Sequence, residues 1–268
     1  MHHDIRRCFL SFLLIFCLFH TSNSQDLEVG LSGGGAYYLG DLNQGLHFKN
    51  SMPAYGLVAR YTIDTRWSVR MSASLATVKG TSSKQSILPD AGLSFSSKIT
   101  DITAVVEFNF FSYFTGSARS IVTPYIFGGL GIFMFKPTTG GIDLRSLGTE
   151  GQNNGYLGRA PYATTGFGIP FGLGGKFSLT KRLSLQVYWE VHKTFTDYLD
   201  DVSTTYYLDG KLIQSGDIAA VMSDPNRNHM PGMQRGDPKT KDWYTLYGFS
   251  LTYTFDLTSS KKCRNEEY

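Results

Sequence analysis

The segment YGLVARYTIDTRWSVRMSASL, residues 55–75, carries the clearest structural signal in the chain. On both sides of the triplet Asp64-Thr65-Arg66, apolar side chains alternate with small or charged ones at every second position. A period of two is typical of a strand with one apolar face, and a short polar triplet between two such runs is typical of a hairpin turn. The segment therefore predicts two antiparallel strands that share one apolar face and one polar face.

The same alternation recurs along the chain and predicts eight strands in one domain. Short turns alternate with long loops along the chain. The turns lie near 64–66, 113–117 and 180–182, and the loops cover 40–53, 79–94, 136–165 and 196–242. This layout predicts an all-β fold, an eight-stranded antiparallel transmembrane β-barrel with short periplasmic turns and four long extracellular loops. The rival fold is a soluble lipocalin-like barrel with its apolar residues inside. The predicted strands cover about 27–39, 54–63, 67–78, a segment ending at 110, 122–135, 167–179, 183–195 and 243–257.

Aromatic residues and glycine are both abundant, at 14% aromatic residues and 29 glycines. Tyr and Trp favour membrane interfaces, and glycine lets strands bend around a tight barrel. Pro170 cannot donate to a strand ladder, so it predicts a bulge or the start of the sixth strand. The apolar faces are predicted to contact lipid, and on the fifth strand that face consists of Tyr125, Phe127, Phe133 and Phe135.

Five charged residues fall on the opposite strand faces, which are otherwise small or polar. A charge facing lipid near the midplane costs a few kcal/mol, so these residues are predicted to point into the lumen. An eight-stranded barrel is just wide enough for side chains to fill it. We interpret the charges as a structural plug of ion pairs, with a proton or ion path as the alternative. The five residues are Arg60, Arg70, Glu107, Lys176 and Glu190.

The first 24 residues are typical of a cleaved secretory signal peptide. Arg6 and Arg7 precede an apolar run of about a dozen residues, and Ser22 and Ser24 suit the cleavage site. The alternatives are an N-terminal membrane anchor and lipidation at Cys17. The pattern predicts export to the outer membrane.

The predicted mature chain divides into a barrel over residues 25–258 and a short periplasmic tail over 259–268. Cys263 is the only cysteine beyond the signal peptide, so no internal disulfide is predicted. The tail carries basic residues followed by two glutamates. It is interpreted as a frayed terminus, or alternatively as a handle for a periplasmic partner.

The sequence offers no pattern for catalysis or for a tightly bound cofactor. The histidines of the mature chain, His47, His192 and His229, are scattered, and no G-x-S-x-G elbow occurs. A rim pairing of His192 with Ser203 is the one enzymatic alternative. The net charge of +3 gives no electrostatic case for nucleic acid. The chain is predicted to be a non-enzyme without cofactor or metal.

The last long loop opens with three carboxylates in five residues, Asp197, Asp200 and Asp201. Such a group supplies the hard oxygen ligands that Ca²⁺ prefers, but its spacing lacks the alternation of an EF-hand loop. The alternative is a solvated turn, or a cluster tied to basic groups such as Arg227 or Arg235. We favour this alternative, a solvated turn or a cluster tied to basic groups, over Ca²⁺ binding.

Two stretches resemble a known family. They are AYYLGDLN, residues 36–43, after a glycine-rich first strand, and TFTDYLDDVSTTY, residues 194–206, after the seventh strand. Together they resemble an outer-membrane barrel family of Bacteroidetes that includes the small barrel component of the type IX (Por) secretion system. The resemblance implies a barrel that contacts periplasmic ring subunits, and it implies no catalysis. The positions that carry it are Tyr38, Leu39, Gly40, Asp41, Asp197, Tyr198, Asp200 and Asp201.

These positions lie at the outward ends of strands, where tyrosine suits the interface and aspartate is expected to stay in water. The two motifs are expected to pack against each other, because the first and last strands must pair to close a barrel. The leading functional prediction is a structural or assembly component of a secretion apparatus, with membrane lipid and secretion subunits as partners and no nucleic acid. The alternatives are a surface ligand-binding or adhesin barrel and, less favoured, a lipid-modifying enzyme.

Overall fold

The computed structural model describes residues 26–84, 86–89 and 91–256. The predicted signal peptide, the C-terminal tail and Cys263 lie outside the described residues. Within them, the strands are β1 (Asp26–Leu39), β2 (Met52–Thr62), β3 (Trp67–Thr81), β4 (Ser94–Asn109), β5 (Val122–Thr139), β6 (Ile142–Asp143), β7 (Thr165–Ser178), β8 (Leu183–Thr194) and β9 (Trp243–Asp256). The helices are α1 (Leu144–Leu147) and α2 (Ile218–Ser223), with 3-10 turns at Gln152–Asn154, Tyr156–Gly158 and Gly210–Leu212.

Eight of the strands close into an antiparallel barrel, as predicted. Each strand pairs with its neighbour in the chain, and β1 pairs with β9 to close the cylinder. The two-residue β6 adds to β5 beyond the barrel wall. Closure leaves no open edge, so the backbone N–H and C=O groups of the wall find partners between strands. No helix among the described residues is long and apolar enough to span a membrane.

The outer surface of the barrel is apolar and exposed, while the inner positions are buried. Leu31 is 66% exposed, Leu57 is 61% exposed and Phe249 is 57% exposed, all on outward positions of their strands. Their inward neighbours, such as Gln186 and Ser250, are buried. This orientation is that of a transmembrane barrel and not of a lipocalin-like barrel, which packs its apolar residues inside.

The predicted orientation of β5 is wrong. Ile126, Leu130 and Ile132 point outward and are exposed, whereas the aromatic side chains of Tyr125, Phe127, Phe133 and Phe135 are buried inside. Both faces of this strand are apolar, so alternation alone could not distinguish them.

Two neighbours explain why the aromatic face of β5 turns inward. Glycines of the adjacent β7 leave room for the rings: a Cβ at Gly172 would lie 2.7 Å from the Phe127 ring. Lumen cations cover the same rings, with the Arg70 guanidinium 4.8 Å from the Phe127 centroid and the Lys176 ammonium 4.7 Å from that of Tyr125. The rings thus combine packing with cation–π contacts.

Pro170 lies in the middle of β7 and marks neither a bulge nor the strand start. Gly128 pairs with Phe171 and Gly131 with Gly168, so the register is the same on both sides of a gap in the β5–β7 ladder. The gap coincides with the proline, which lacks the N–H that would complete the ladder.

The connections differ in length between the two ends of the barrel. At the turn end, residues 63–66 and 179–182 form tight turns, but 110–121 form a longer connection that folds under the barrel. There Thr115 is buried and its hydroxyl donates to Glu28 at 2.6 Å. At the loop end lie 40–51, 82–93, 140–164 and 195–242, which together we call the loop cap.

Seven of the eight barrel strands are longer than a membrane crossing requires, from 12 residues in β8 to 18 in β5. Crossing a bilayer at a tilt takes about 9–11 residues. The excess lies toward the loop end, where Tyr38, Phe95, Phe133 and Leu199 belong to a buried apolar cluster. The apolar core of the molecule therefore sits between the barrel mouth and the loop cap.

Candidate functional sites in the lumen and the loop cap

The lumen contains a network of ion pairs with Glu107 at its centre. Glu107 is fully buried and contacts three cations: Arg60 at 2.7 Å, Arg70 at 2.8 Å and Lys176 at 2.7 Å. Arg70 also pairs with Glu190 at 2.7 Å. The structure thus brings the five charged residues singled out from the sequence into one connected group.

A sixth member, Glu28, was missed by the sequence analysis. Its carboxylate accepts from Arg60 at 2.6 Å, and Thr252 donates to the same oxygen at 3.1 Å. Its position between outward Leu27 and Val29 was the available signal, because residues between outward positions point inward. Three cations face three carboxylates in this group, which we call the lumen network: Glu28, Arg60, Arg70, Glu107, Lys176 and Glu190.

The network leaves little free space. A cavity of about 10 Å³ lies beside Arg60, Arg70 and Glu190. That volume is on the order of one water molecule. The ion pairs therefore fill the middle of the barrel and do not line a channel.

A second buried group lies on the loop-end side of the lumen network, and the sequence analysis did not predict it either. His192 is within 3.1 Å of both Asp101 and Glu190, and its ring stacks on Tyr244 with centroids 4.3 Å apart. The Tyr244 hydroxyl donates to Asp101. The structure does not bring His192 together with Ser203, whose hydroxyl donates to Asp197 at 2.6 Å. A rim pair for lipid chemistry is therefore not formed.

The two family-like motifs meet in the loop cap. The hydroxyl of Tyr38, from the first motif, donates to Asp200 of the second at 2.5 Å and lies 3.0 Å from Asp242. Tyr38 and Asp200 are both buried. The expectation that the tyrosine lies at a membrane interface and the aspartates in water is wrong, because the loops fold over the barrel mouth and cover both.

The remaining motif positions surround this contact. Asp41 accepts from the backbone N–H of Asp237 at 2.9 Å, and a Cβ at Gly40 would lie 2.1 Å from Asp242. Tyr198 stacks on Tyr162 of the preceding long loop with centroids 4.4 Å apart. The motif residues therefore pack the loops against each other.

Glu150 and Arg235 tie the two longest loops together. The Arg235 guanidinium donates to Glu150 at 3.1 Å, and the backbone N–H groups of Ser203 and Thr204 donate to the same oxygen at 2.9 and 3.0 Å. Arg235 also lies 3.8 Å from Asp201. No sequence pattern pointed to Glu150, because its partners lie far away in the chain.

Several carboxyl groups of the loop cap have raised pKa values. Burial, with the nearby negative charge of Asp197, raises the pKa of Asp41 to about 7, although the hydrogen bond from the Asp237 backbone opposes the shift. Burial raises the pKa of Asp197 to about 7 as well, although the hydrogen bond from Ser203 and the charge of Lys241 oppose the shift. Burial also raises the pKa values of Asp200 and Asp242. The cap thus holds a group of acidic side chains whose protonated forms are favoured.

The acidic cluster does not have the arrangement of a metal site. In the part of the chain that the structure describes, no three or more His, Cys, Asp or Glu side chains are placed to hold a metal ion. Asp200 and Asp201 use their oxygens on Tyr38, Thr149 and Tyr162. Of the two basic candidates, Arg235 contacts the cluster, while Arg227 donates its backbone N–H to Asp224.

A closed eight-stranded barrel with an apolar outer band, a charged interior and long loops at one end is a small β-barrel of the outer-membrane class. The chain belongs to the family described as "Domain of unknown function (DUF6089)", whose model matches residues 6–220. No curated protein matches the chain at a significant level.

Among solved structures, the chain is similar to three small barrels. Ail, the attachment invasion locus protein of Yersinia pestis, is 12% identical with a TM-score of 0.42, over 87% of this chain and 99% of that one. Neisserial surface protein A is 12% identical with a TM-score of 0.43, over 85% and 97%. The outer membrane protein OprG from Pseudomonas aeruginosa is 14% identical with a TM-score of 0.42, over 87% and 97%.

Proposed function

We propose that the protein is a non-enzymatic barrel of the outer membrane that acts as a structural or assembly component of a type IX-like protein secretion apparatus. Export by the predicted signal peptide would bring it there. The exposed apolar residues around the wall support membrane residence, since water would not solvate them.

The observation that carries the proposal is the filled lumen. Glu107 and its three cations occupy the middle of the barrel, and the loop cap closes one end through Tyr38 and Asp200. A barrel filled in this way offers its two ends and its wall, not its interior, to other molecules. Those surfaces suit a structural component that contacts the other subunits of a larger assembly.

The test is capture of the tagged full-length chain from native outer membranes, followed by mass spectrometry. The proposal predicts that secretion-system subunits co-purify with the wild type. Deletion of 259–268 tests whether the tail or the barrel contacts the partners. If the deletion variant captures the same subunits, the tail is not the contact. A wild-type capture that contains no secretion subunit would contradict the proposed role.

The second candidate is a surface ligand-binding or adhesin-type barrel. It is favoured by apolar side chains at the outer surface of the cap, where Leu157 is 75% exposed and Leu212 is 77% exposed. Shortening the loop around Leu212 would abolish binding to cells or matrix under this candidate, while capture of secretion subunits would be unchanged. The opposite pattern supports the assembly role.

A further inference from the structure

The outer wall of β3, β4 and β5 changes from apolar to basic within a few rows of the sheet. The strand register places Leu75, Thr100 and Met134 side by side on the outer face, with Tyr55 of β2 next to Leu75. Tyrosine in such a row is typical of the boundary between acyl chains and headgroups. This row therefore marks the level at which the wall leaves the hydrocarbon region.

Three lysines lie directly above that row, on the side of the loop end. Lys98 is the cross-strand partner of Lys136, and Lys79 pairs with Ser96 one row further out. All three side chains are exposed. We call Lys79, Lys98 and Lys136 the lysine patch.

The lysine patch has unbalanced charge. Like charges directly opposite each other in a sheet are destabilising. Among the described residues, Lys79 and Lys98 contact no carboxylate, and Lys136 has one partner, Asp143, at 3.4 Å. An anion between the lysines would relieve this repulsion.

A groove of about 350 Å³ continues from the lysine patch toward the loops. Lys79 lines it together with the hydroxyl-bearing residues Ser94, Ser96 and Thr138. Hydroxyl groups donate and accept hydrogen bonds, which suits the hydroxyls of a sugar. The wall thus presents, in order, an apolar surface, a cluster of ammonium groups and a hydroxyl-lined groove.

We infer that this wall binds a phosphorylated glycolipid of the surrounding leaflet. The phosphate lies among the lysines, the sugar hydroxyls face the groove, and the acyl chains run down over Leu75, Met134 and the apolar rows beneath. The inference rests on the proposed membrane residence and goes beyond it, because it names one lipid class and one position on the wall.

The test uses the purified full-length chain in detergent micelles and native mass spectrometry with two forms of one lipid. The probes are a diphosphorylated, acylated glucosamine disaccharide and its dephosphorylated form. We expect the wild type to bind the phosphorylated form at least about tenfold more tightly, because each basic residue near an anionic headgroup contributes about fivefold and at least two lysines would face the phosphate. The double variant K98Q/K136Q should lose this preference.

The matched control is K193Q/K211Q, which removes the same charge elsewhere. Lys193 lies on the outer wall over the ring of Trp243, and Lys211 lies in the last loop. If K98Q/K136Q and the control show the same preference for the phosphorylated lipid, the lysine patch is not the binding site. Competition by inorganic phosphate at similar concentration would also overturn the glycolipid site, in favour of a free-anion site.

The same preparations separate this inference from the proposed function. A folded membrane barrel shows heat-modifiable migration in gels. A wild type without heat-modifiable migration would contradict membrane residence itself. A heat-modifiable wild type that binds both lipid forms equally would overturn the glycolipid site alone.

Discussion

At the scale of single residues, Glu107 holds most of the lumen together. It is fully buried and shared by three cations, so its charge compensates groups that are themselves buried. Removing one partner of a buried ion pair is far more destabilising than the pair is stabilising, because the remaining charge stays buried without compensation. The lumen network is therefore sensitive at its centre.

The substitution Glu107→Gln tests this sensitivity. We expect it to lower the free energy of unfolding by about 3–5 kcal/mol, measured by urea titration of the refolded barrel in micelles. Asp143→Asn is the control, because the Lys136–Asp143 pair has side chains 62% and 35% exposed and should contribute at most about 1 kcal/mol. Equal effects of the two substitutions would contradict a structural role for the network.

Gly34 makes a close approach between strands that its neighbour Gly33 does not. A Cβ at Gly34 would lie 1.9 Å from the backbone oxygen of Tyr247, while a Cβ at Gly33 would meet nothing within 4 Å. We expect Gly34→Ala to destabilise the barrel by at least about 1–3 kcal/mol through overpacking. Gly33→Ala should be tolerated. The heating temperature at which gel migration shifts reports the stability of each variant. A Gly34→Ala barrel as stable as the wild type would disprove the close approach.

At the scale of single elements, β5 is where the inward and outward faces are least distinct in sequence. A spin label at Ile126 or Leu130 should be accessible to lipid-soluble oxygen, since both side chains are exposed on the wall. A label at Phe127 or Phe133 should be shielded. The reverse accessibility would restore the orientation predicted from the sequence and contradict the cation–π contacts in the lumen.

The loop cap is the element whose stability should depend on pH. The pKa values of Asp41 and Asp197 rise from 3.8 to about 7 in the folded cap, so the folded state holds these protons more tightly than the unfolded chain. The stabilisation is fully present below 3.8 and is lost as the pH rises through about 7. The cap should therefore loosen toward alkaline pH.

Limited proteolysis of the refolded barrel measures this effect. Cleavage within 195–242 should be faster at about pH 8 than at about pH 5 after correction for the activity of the protease. The variant D41N/D197N keeps uncharged side chains at both positions and should show less of this difference. A wild-type cap cleaved more slowly at the higher pH would show that the shifts have the opposite sign.

At the scale of the whole molecule, the filled lumen predicts that the barrel does not conduct ions through its interior. The lumen network fills the middle, Thr115 of the 110–121 connection donates to Glu28 from the turn end, and the loop cap covers the other end. We expect no steady ion current when the purified protein is inserted into planar bilayers, because a cavity on the order of one water molecule cannot conduct. Heat-modifiable migration of the same sample shows that it is folded, and a steady current from such a sample would contradict the filled lumen.

The sequence predicted the barrel because the governing rule is local. Alternation along each strand is set by the pleat, so Arg60 and Arg70 could be placed inside from their immediate neighbours. The same rule applies to Glu28, which lies between Leu27 and Val29, but the sequence analysis did not single it out. Where both faces are apolar, as around Phe127 in β5, alternation carries no information and only packing against Gly172 and Arg70 selects the face.

The amino-acid sequence determined the strand number, the closed wall and the charged interior, since each depends on patterns within about ten residues. The three-dimensional fold determined which carboxylates share which cations and how the loops cover the barrel mouth. Tyr38 and Asp200 are 162 positions apart, and Glu150 and Arg235 are 85 apart. No local pattern specifies contacts at such separations, because they arise only when the closed sheet brings distant loops to the same rim.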